Sequence, residues 1–374
     1  MQNKSMSNTL LLLGCLGMLG GVYGLYEALV EGSGSTALNS ITPWGLGVVT
    51  YLYFLGISGG GLLIALLTLV FRKKQFEAFS GIAAWTVLVT EICAGIAIVS
   101  DLGHWERMYR FIISPNPTSP MAWMFFFFAA MLLIYLAKVL ALRGGDVQRA
   151  HTLTFWSIPV ALLFYATNGY IFGMMSAEPL WNGAFVPFWF VLAALLSGGA
   201  LVGALGWLYG FNDELMHDFG RVLLVLLASF AFFEVLYLCI AIQAGNAQGT
   251  QAVHNLLWGS GSISFWLVHV VAGTLVPLLL LISAKSPSRV GLAALVILLT
   301  FIAARWNFVI PTQGVEPIAG LNSAFHHVRF ASAYCPSFGE WLITLFVSSL
   351  CLVALLIGPR LFPLLFSKQG ERHV

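Results

Sequence analysis

The sequence predicts an all-α integral membrane protein of about ten transmembrane helices. These would form two four-helix bundles in a parallel internal repeat, with flanking helices. Three observations carry this. Hydrophobic residues make up 59% of the 374, and charged residues only 9%, where soluble domains carry about 25% charged residues. Apolar runs of about 20 residues, enough to cross a bilayer, recur along the chain with no long polar stretch between them. Lysine and arginine collect at alternate ends of those runs.

The first run, 8–30, follows Lys4 and carries Leu12-Leu13-Gly14-Cys15, which weakly resembles a lipoprotein cleavage box. The run continues to Val30, so it reads as a span rather than a leader. Pro43-Trp44-Gly45 turns the chain into the second run, 46–71, which holds Tyr51, Tyr53 and the small-residue stretch Ser58-Gly59-Gly60. Trp44 suits a membrane interface, and the small residues suit close helix contact. Runs 78–101, 119–142 and 152–176 complete a first group, with Glu91 and Asp101 in one and Tyr165, Asn168 and Tyr170 in another. Runs 187–210, 219–243, 262–283 and 289–311 form a second group, and 339–361 closes the chain. The expected division is 1–42, a flanking helix and loop; 43–177 and 178–312, the two bundles; and 313–374, a loop, a last span and a tail. The repeat rests on Ser58-Gly59-Gly60 recurring as Ser197-Gly198-Gly199, each followed in the next span by a glutamate, Glu91 and Glu234.

With the N-terminus on one face, Lys4, Arg72-Lys73-Lys74, Lys138, Arg143, Arg149, Arg221, Lys285, Arg289 and Arg360 fall on that face. Arg107, Arg110 and Arg329 fall opposite. The positive-inside rule then predicts a multi-pass protein of a bacterial inner membrane with both termini cytoplasmic. The loops opposite (31–45, 102–118, 177–186, 244–261, 312–338) are generally longer and rich in Pro, Gly, Trp and Asn. They read equally as a docking platform or as plain periplasmic loops. No basic cluster exceeds Arg72-Lys73-Lys74, so nothing points to nucleic acid. The cysteines Cys15, Cys93, Cys239, Cys335 and Cys351 include no Cys-x-x-Cys pair, so neither an iron–sulfur cluster, a zinc site nor a disulfide framework is expected.

Charges inside a membrane are costly and mark function by default. Here they are Glu91, Asp101, Glu234 and Arg305. They read as a proton relay or as ion pairs fixing helix register. A second set gathers toward the loop-rich face: Trp44, Tyr51, His104, Tyr165, Asn168 and His269. Aromatic, amide and imidazole groups at one depth suit an amphipathic head group such as a quinone. Each alone is equally a packed side chain bonded to backbone. Only His269 sits well inside a span, so a bis-His haem is not expected.

Several stretches together resemble one family. They are Pro43-Trp44-Gly45 leading to Gly56-Ile57-Ser58-Gly59-Gly60, Ser100-Asp101-Leu102-Gly103-His104, and Asn116-Pro117-Thr118-Ser119-Pro120-Met121-Ala122-Trp123. Tyr165-Ala166-Thr167-Asn168-Gly169 and Pro179-Leu180-Trp181-Asn182 join them. The likeness is to the NrfD-type family, the polysulfide-reductase membrane subunits. Arg305-Trp306-Asn307 and Tyr334 to Glu340 resemble its long, ten-helix branch, which includes the hydrogenase-2 membrane subunit. The resemblance implies a quinone-reactive subunit (menaquinone or ubiquinone) without haem or iron–sulfur cluster of its own. It also implies a periplasmic iron–sulfur partner, and through it a molybdopterin oxidoreductase, a hydrogenase or a multihaem cytochrome. The head-group pocket would use the outer end of span two, the Asp101–His104 region and span five. Family members often carry a His where this chain has Tyr51. The alternatives are an ion- or solute-coupled transporter and a passive membrane anchor.

Overall fold

The computed structural model describes residues 4–178, 180–243, 247–316, 320, 324 and 333–366. Among these residues there is no strand, and ten helices are long and apolar enough to span a membrane. They are α1 (Lys4–Glu31), α2 (Leu46–Val70), α3 (Lys74–Asp101), α4 (Pro120–Arg143) and α5 (Val147–Gly173). Next come α6 (Phe185–Leu208), α7 (Asp213–Gln243), α8 (Ser264–Ile282), α9 (Pro287–Gln313) and α10 (Phe338–Leu361). A short helix, Ala247–Leu257, links α7 to α8. Arg329 and Pro179, used in the sequence argument, lie outside the described residues.

The apolar runs locate the helices, but several ends extend beyond them. Helix α5 starts at Val147 rather than 152 because Asp146 caps it, its side chain accepting from Arg149 N at 2.9 Å. Helix α7 starts at Asp213 rather than 219, with Asn212 accepting from Leu215 N at 2.8 Å. Capping residues set helix ends; hydropathy marks only the part that meets lipid.

Helices α2 to α5 pack together, and so do α6 to α9. The two bundles meet where α2 crosses α6. The motif repeat lies at that crossing: a Cβ on Gly198 would strike Gly60 N and Gly59, and one on Gly60 would strike Gly198 O. The backbones therefore touch, which only residues without side chains allow. Helix α2 is interrupted there, with Gly59 N bonding to Gly56 O at 2.9 Å, whereas α6 runs through without a break. On the loop-rich face an aromatic wall joins the bundles. Trp44 stacks on Trp181 with centroids 4.9 Å apart, Trp181 Nε1 donates to Phe308 O at 2.7 Å, and Phe308 stacks on Trp189.

Helix α1 lies outside and packs mainly along α10. Gly14, Gly17, Gly21 and Gly24 face Val353, Ser349, Phe346 and Leu342, so α1 brings no side chain of its own to these contacts and the helices lie close. Helix α10 in turn rests on α3 and α2.

Candidate functional site

Helix α2 begins at Leu46 and α5 ends at Gly173, on the same face. Tyr51 and Asn168 each stand five residues from those ends, about 7.5 Å deep at 1.5 Å per residue. The Tyr51 hydroxyl donates to Asn168 Oδ1 at 2.6 Å and lies 3.3 Å from Met124 Sδ. Asn168 Nδ2 donates to Phe164 O at 2.8 Å. Both residues are buried. Deeper, Ser58 Oγ donates to Leu55 O, so its 2.7 Å contact with Tyr165 has the tyrosine donating.

Glu91 on α3 is fully buried, and among the described residues neither carboxylate oxygen has a hydrogen-bond partner. It lies near enough to interact electrostatically with Tyr51, Tyr135 and Tyr165. A carboxyl with two unused oxygens can gain or release a proton without breaking a contact. Toward the basic face, the Tyr135 hydroxyl fits against Gly61, where a Cβ would collide with it. Lys138 Nζ sits 5.6 Å from the Tyr135 ring centroid, and the lysine is 1% exposed.

At the loop-rich rim, Asp101 packs on Gly47 and interacts electrostatically with Glu340. Glu340 accepts from Ala37 N, Ser337 N and the Tyr334 hydroxyl, and Tyr334 Oη accepts from Leu46 N at 2.7 Å. The first turn of α2 is thus tied to α10. Burial, followed by Glu340, pushes the Tyr334 hydroxyl above the usual phenol range. Trp44 is held by Gln313, which accepts from its N–H at 3.1 Å and donates to its carbonyl at 2.8 Å. Beside this rim, burial pushes the Glu178 carboxyl up to about 7.

The second bundle holds a separate polar group. His269 Nε2 lies 3.1 Å from Glu234 Oε2, too poorly aligned for a hydrogen bond, and His269 Nδ1 lies 3.4 Å from Asn307 Nδ2. His269 sits where α8 is wound as a π-helix, Ser264–Leu275, a winding frequent at functional sites. Arg305 is fully buried among the rings of Trp189, Phe190 and Phe301, 5.0–5.3 Å from their centroids. Its guanidinium faces Gly56, and among the described residues it has neither an ion pair nor a hydrogen bond.

The structure therefore brings Tyr51, Asn168, Tyr165 and Glu91 together, with Trp44 and Asp101 toward the rim. His269 and Glu234 meet each other instead. Arg305, between the bundles, forms no ion pair among the described residues. His104 is exposed on the loop after α3, with Nδ1 3.0 Å from Glu106 Oε1. A backbone hydrogen bond and then His104 hold the Glu106 carboxyl below its ordinary range.

Ser58, Tyr135, Lys138, Glu340, Tyr334, Gln313 and Asn307 were not singled out for these roles in the sequence. Two carried a readable signal. Ser337-x-x-Glu340 is a capping-box pattern, and the box forms. Lys138 is a cation within an apolar run.

Ten helices packed as two bundles around buried tyrosines, amides and carboxyls define a multi-pass membrane protein with protonatable groups at bilayer depth. Residues 34–316 match the family model "Polysulphide reductase, NrfD", which is most of the chain, and the protein belongs to the NrfD family. Its relatives include subunits of reductases and of an oxidoreductase. A selenate reductase subunit of Mesobacillus selenatarsenatis is 27% identical over 94% of this chain and 93% of its own. A putative dimethyl sulfoxide reductase membrane subunit of Halobacterium salinarum is 29% identical over 73% of this chain and 68% of its own. An Hdr-like menaquinol oxidoreductase integral membrane subunit of Archaeoglobus fulgidus is 26% identical over 91% of this chain and 90% of its own.

Proposed function

We propose that this chain is the quinone-reactive membrane subunit of a respiratory oxidoreductase, and that the head group binds at Tyr51 and Asn168. The observation that carries the reading is their 2.6 Å hydrogen bond one to two turns inside the bundle, beside a buried glutamate with no partner. A quinone ring carries two oxygens that accept hydrogen bonds; its reduced form carries two hydroxyls that donate. Tyr51 can turn its hydroxyl from Asn168 to a ring oxygen, and Asn168 Oδ1 is then free to accept from a hydroxyl. Oxidising a quinol releases two electrons and two protons. Glu91 is placed to take a proton, and Asp101 and Glu340 mark the way to the rim. The electrons pass to a periplasmic iron–sulfur partner on the loop-rich face. Both termini then lie in the cytoplasm of a bacterial inner membrane, in keeping with the basic residues at that face.

The name of the Archaeoglobus relative, a menaquinol oxidoreductase subunit, supports the quinone reading. A transporter built from repeats would be expected to break matching helices in both halves. Here α2 is interrupted at Ser58-Gly59 and α6 is not. The test is mild detergent extraction, with the bound lipids and co-purified subunits identified. A retained quinone together with an iron–sulfur subunit is the expected result. Its overturning result is a stable complex that contains neither and does not oxidise added quinol.

A further inference from the structure

At the basic face, the end of α2 and the start of α7 enclose a groove that the site at Tyr51 does not use. Its open volume is about 350 Å³, within the range of small-molecule sites, roughly 300–1,000 Å³. Leu67, Phe71 and Val222 are among its apolar walls, and Lys73, Gln75 and Asp218 supply its polar groups. Val222 lies nine residues after Asp213, the first of α7, or about 14 Å at 1.5 Å per residue. The groove therefore descends from the polar helix ends into apolar depth.

Its polar end is short of negative charge. Asp218 is the one carboxylate of the lining, and both oxygens are engaged: Oδ1 accepts from Arg221 at 3.2 Å and Oδ2 from the Gln75 amide at 3.2 Å. Lys73 and its neighbours Arg72 and Lys74 are exposed, and none forms an ion pair among the described residues. Glu77 is the single acid in the segment 72–79.

The backbone adds an independent observation. Helix α2 ends in a π-wound turn, Leu66–Val70, which Lys73 N closes by donating to Leu67 O at 2.9 Å. The turn holds Arg72 at a φ of 55°, and among the described residues no other residue with a side chain has a positive φ. Glycine is the usual residue where a helix stops in this way, because a Cβ is strained there. The Arg72 side chain is exposed, so packing does not account for it. A strained position that keeps a cation points to a use for that cation.

We propose that this groove binds an anionic phospholipid from the leaflet at the basic face, with its phosphate beside Lys73 and Arg72 and one acyl chain along Phe71 and Val222. Basic pockets at helix ends suit acidic head groups, whereas a choline head group would bring a further cation to a place that already has three. Val70 and Phe71 are 56% and 63% exposed, so the apolar wall continues onto the surface that faces the bilayer. A lipid here would fasten α2 of the first bundle to α7 of the second. Its binding does not depend on whether the chain takes a quinone.

Titration of the purified, intact complex with dioleoylphosphatidylglycerol, read by native mass spectrometry and by melting temperature, tests this. The expected result is retained phosphatidylglycerol and a higher melting temperature, with dioleoylphosphatidylcholine and inorganic phosphate giving neither. Lys73→Gln and Arg72→Gly should each weaken phosphatidylglycerol binding by about tenfold, the scale of one charge-assisted hydrogen bond. In phosphatidylcholine alone, Arg72→Gly should melt no lower than the unaltered protein, because glycine suits that backbone; its weaker lipid binding is then not a failure to fold. Lys285→Gln removes an exposed cation of the same face outside the groove and should leave binding unchanged. Equal binding of the two lipids overturns the site, and so does a loss with Lys285→Gln that matches the loss with Lys73→Gln. Stabilisation by inorganic phosphate alone overturns a lipid as the occupant.

Discussion

Tyr51 on α2 donates its hydroxyl to Asn168 on α5, 117 residues further along the chain, at 2.6 Å. In the proposed head-group site, opening this hydrogen bond would supply one donor and one acceptor. Tyr51→Phe keeps the ring and removes only the donor. Quinol-dependent reduction of the partner should fall by about tenfold, with KM rising, while the yield of assembled complex is unchanged. Steady-state kinetics on the purified complex checks this, and unaltered KM and kcat would remove Tyr51 from the site.

Glu91→Gln is nearly isosteric, and among the described residues neither oxygen of Glu91 holds a hydrogen bond that the change would break. Assembly and thermal stability should be kept, or improved by about 1 kcal/mol, because a buried ionisable group is replaced by a neutral one. Turnover with quinol should fall by more than tenfold if the carboxyl carries a proton away from the ring. A variant that turns over normally would sink that role.

Gly198→Val places a branched side chain where the backbone of Gly60 already lies. The interior cannot absorb it without parting α2 from α6, so a loss of about 3 kcal/mol is expected. The readout is the fraction of protein surviving detergent extraction as a single species. Gly34→Ala, at a glycine with no atom within 4 Å of an added Cβ, is the control and should be silent.

Glu178 gives a dependence on pH whose sign can be worked out. Burial raises its carboxyl from 4.5 to about 7, so the folded protein binds more protons than the unfolded chain between those values. Stability should therefore fall as pH rises from about 4.5 through about 7. Glu178→Gln should flatten that slope. Melting temperatures at pH 5 and pH 8 for both proteins provide the measurement; identical slopes would refute the account.

The ten helices were legible because lipid forces every long apolar segment to satisfy its own backbone, and composition alone then counts the spans. The depth of Tyr51, Asn168 and Tyr165 was legible too, since helix rise converts residue number into distance. What could not be read was the direction of each side chain. Helices apolar on all sides carry no stripe to mark an inner face, so His269 looked as near to Tyr51 as to Glu234. Glu340 escaped for another reason. Its partner Ala37 is 303 residues away, and a capping box in the sequence says nothing of a distant loop that needs the same carboxylate. Arg305 looked like a partner for the glutamates because a buried cation usually has one. Instead three aromatic rings surround it.

That guanidinium has a consequence for a protein sitting in an energised membrane. It is buried among aromatic rings with no counter-ion among the described residues. At low dielectric a fixed positive charge repels other cations over many ångströms, as the arginine of a water channel keeps protons from crossing. A cation held at the seam between the bundles would oppose the entry of other cations there.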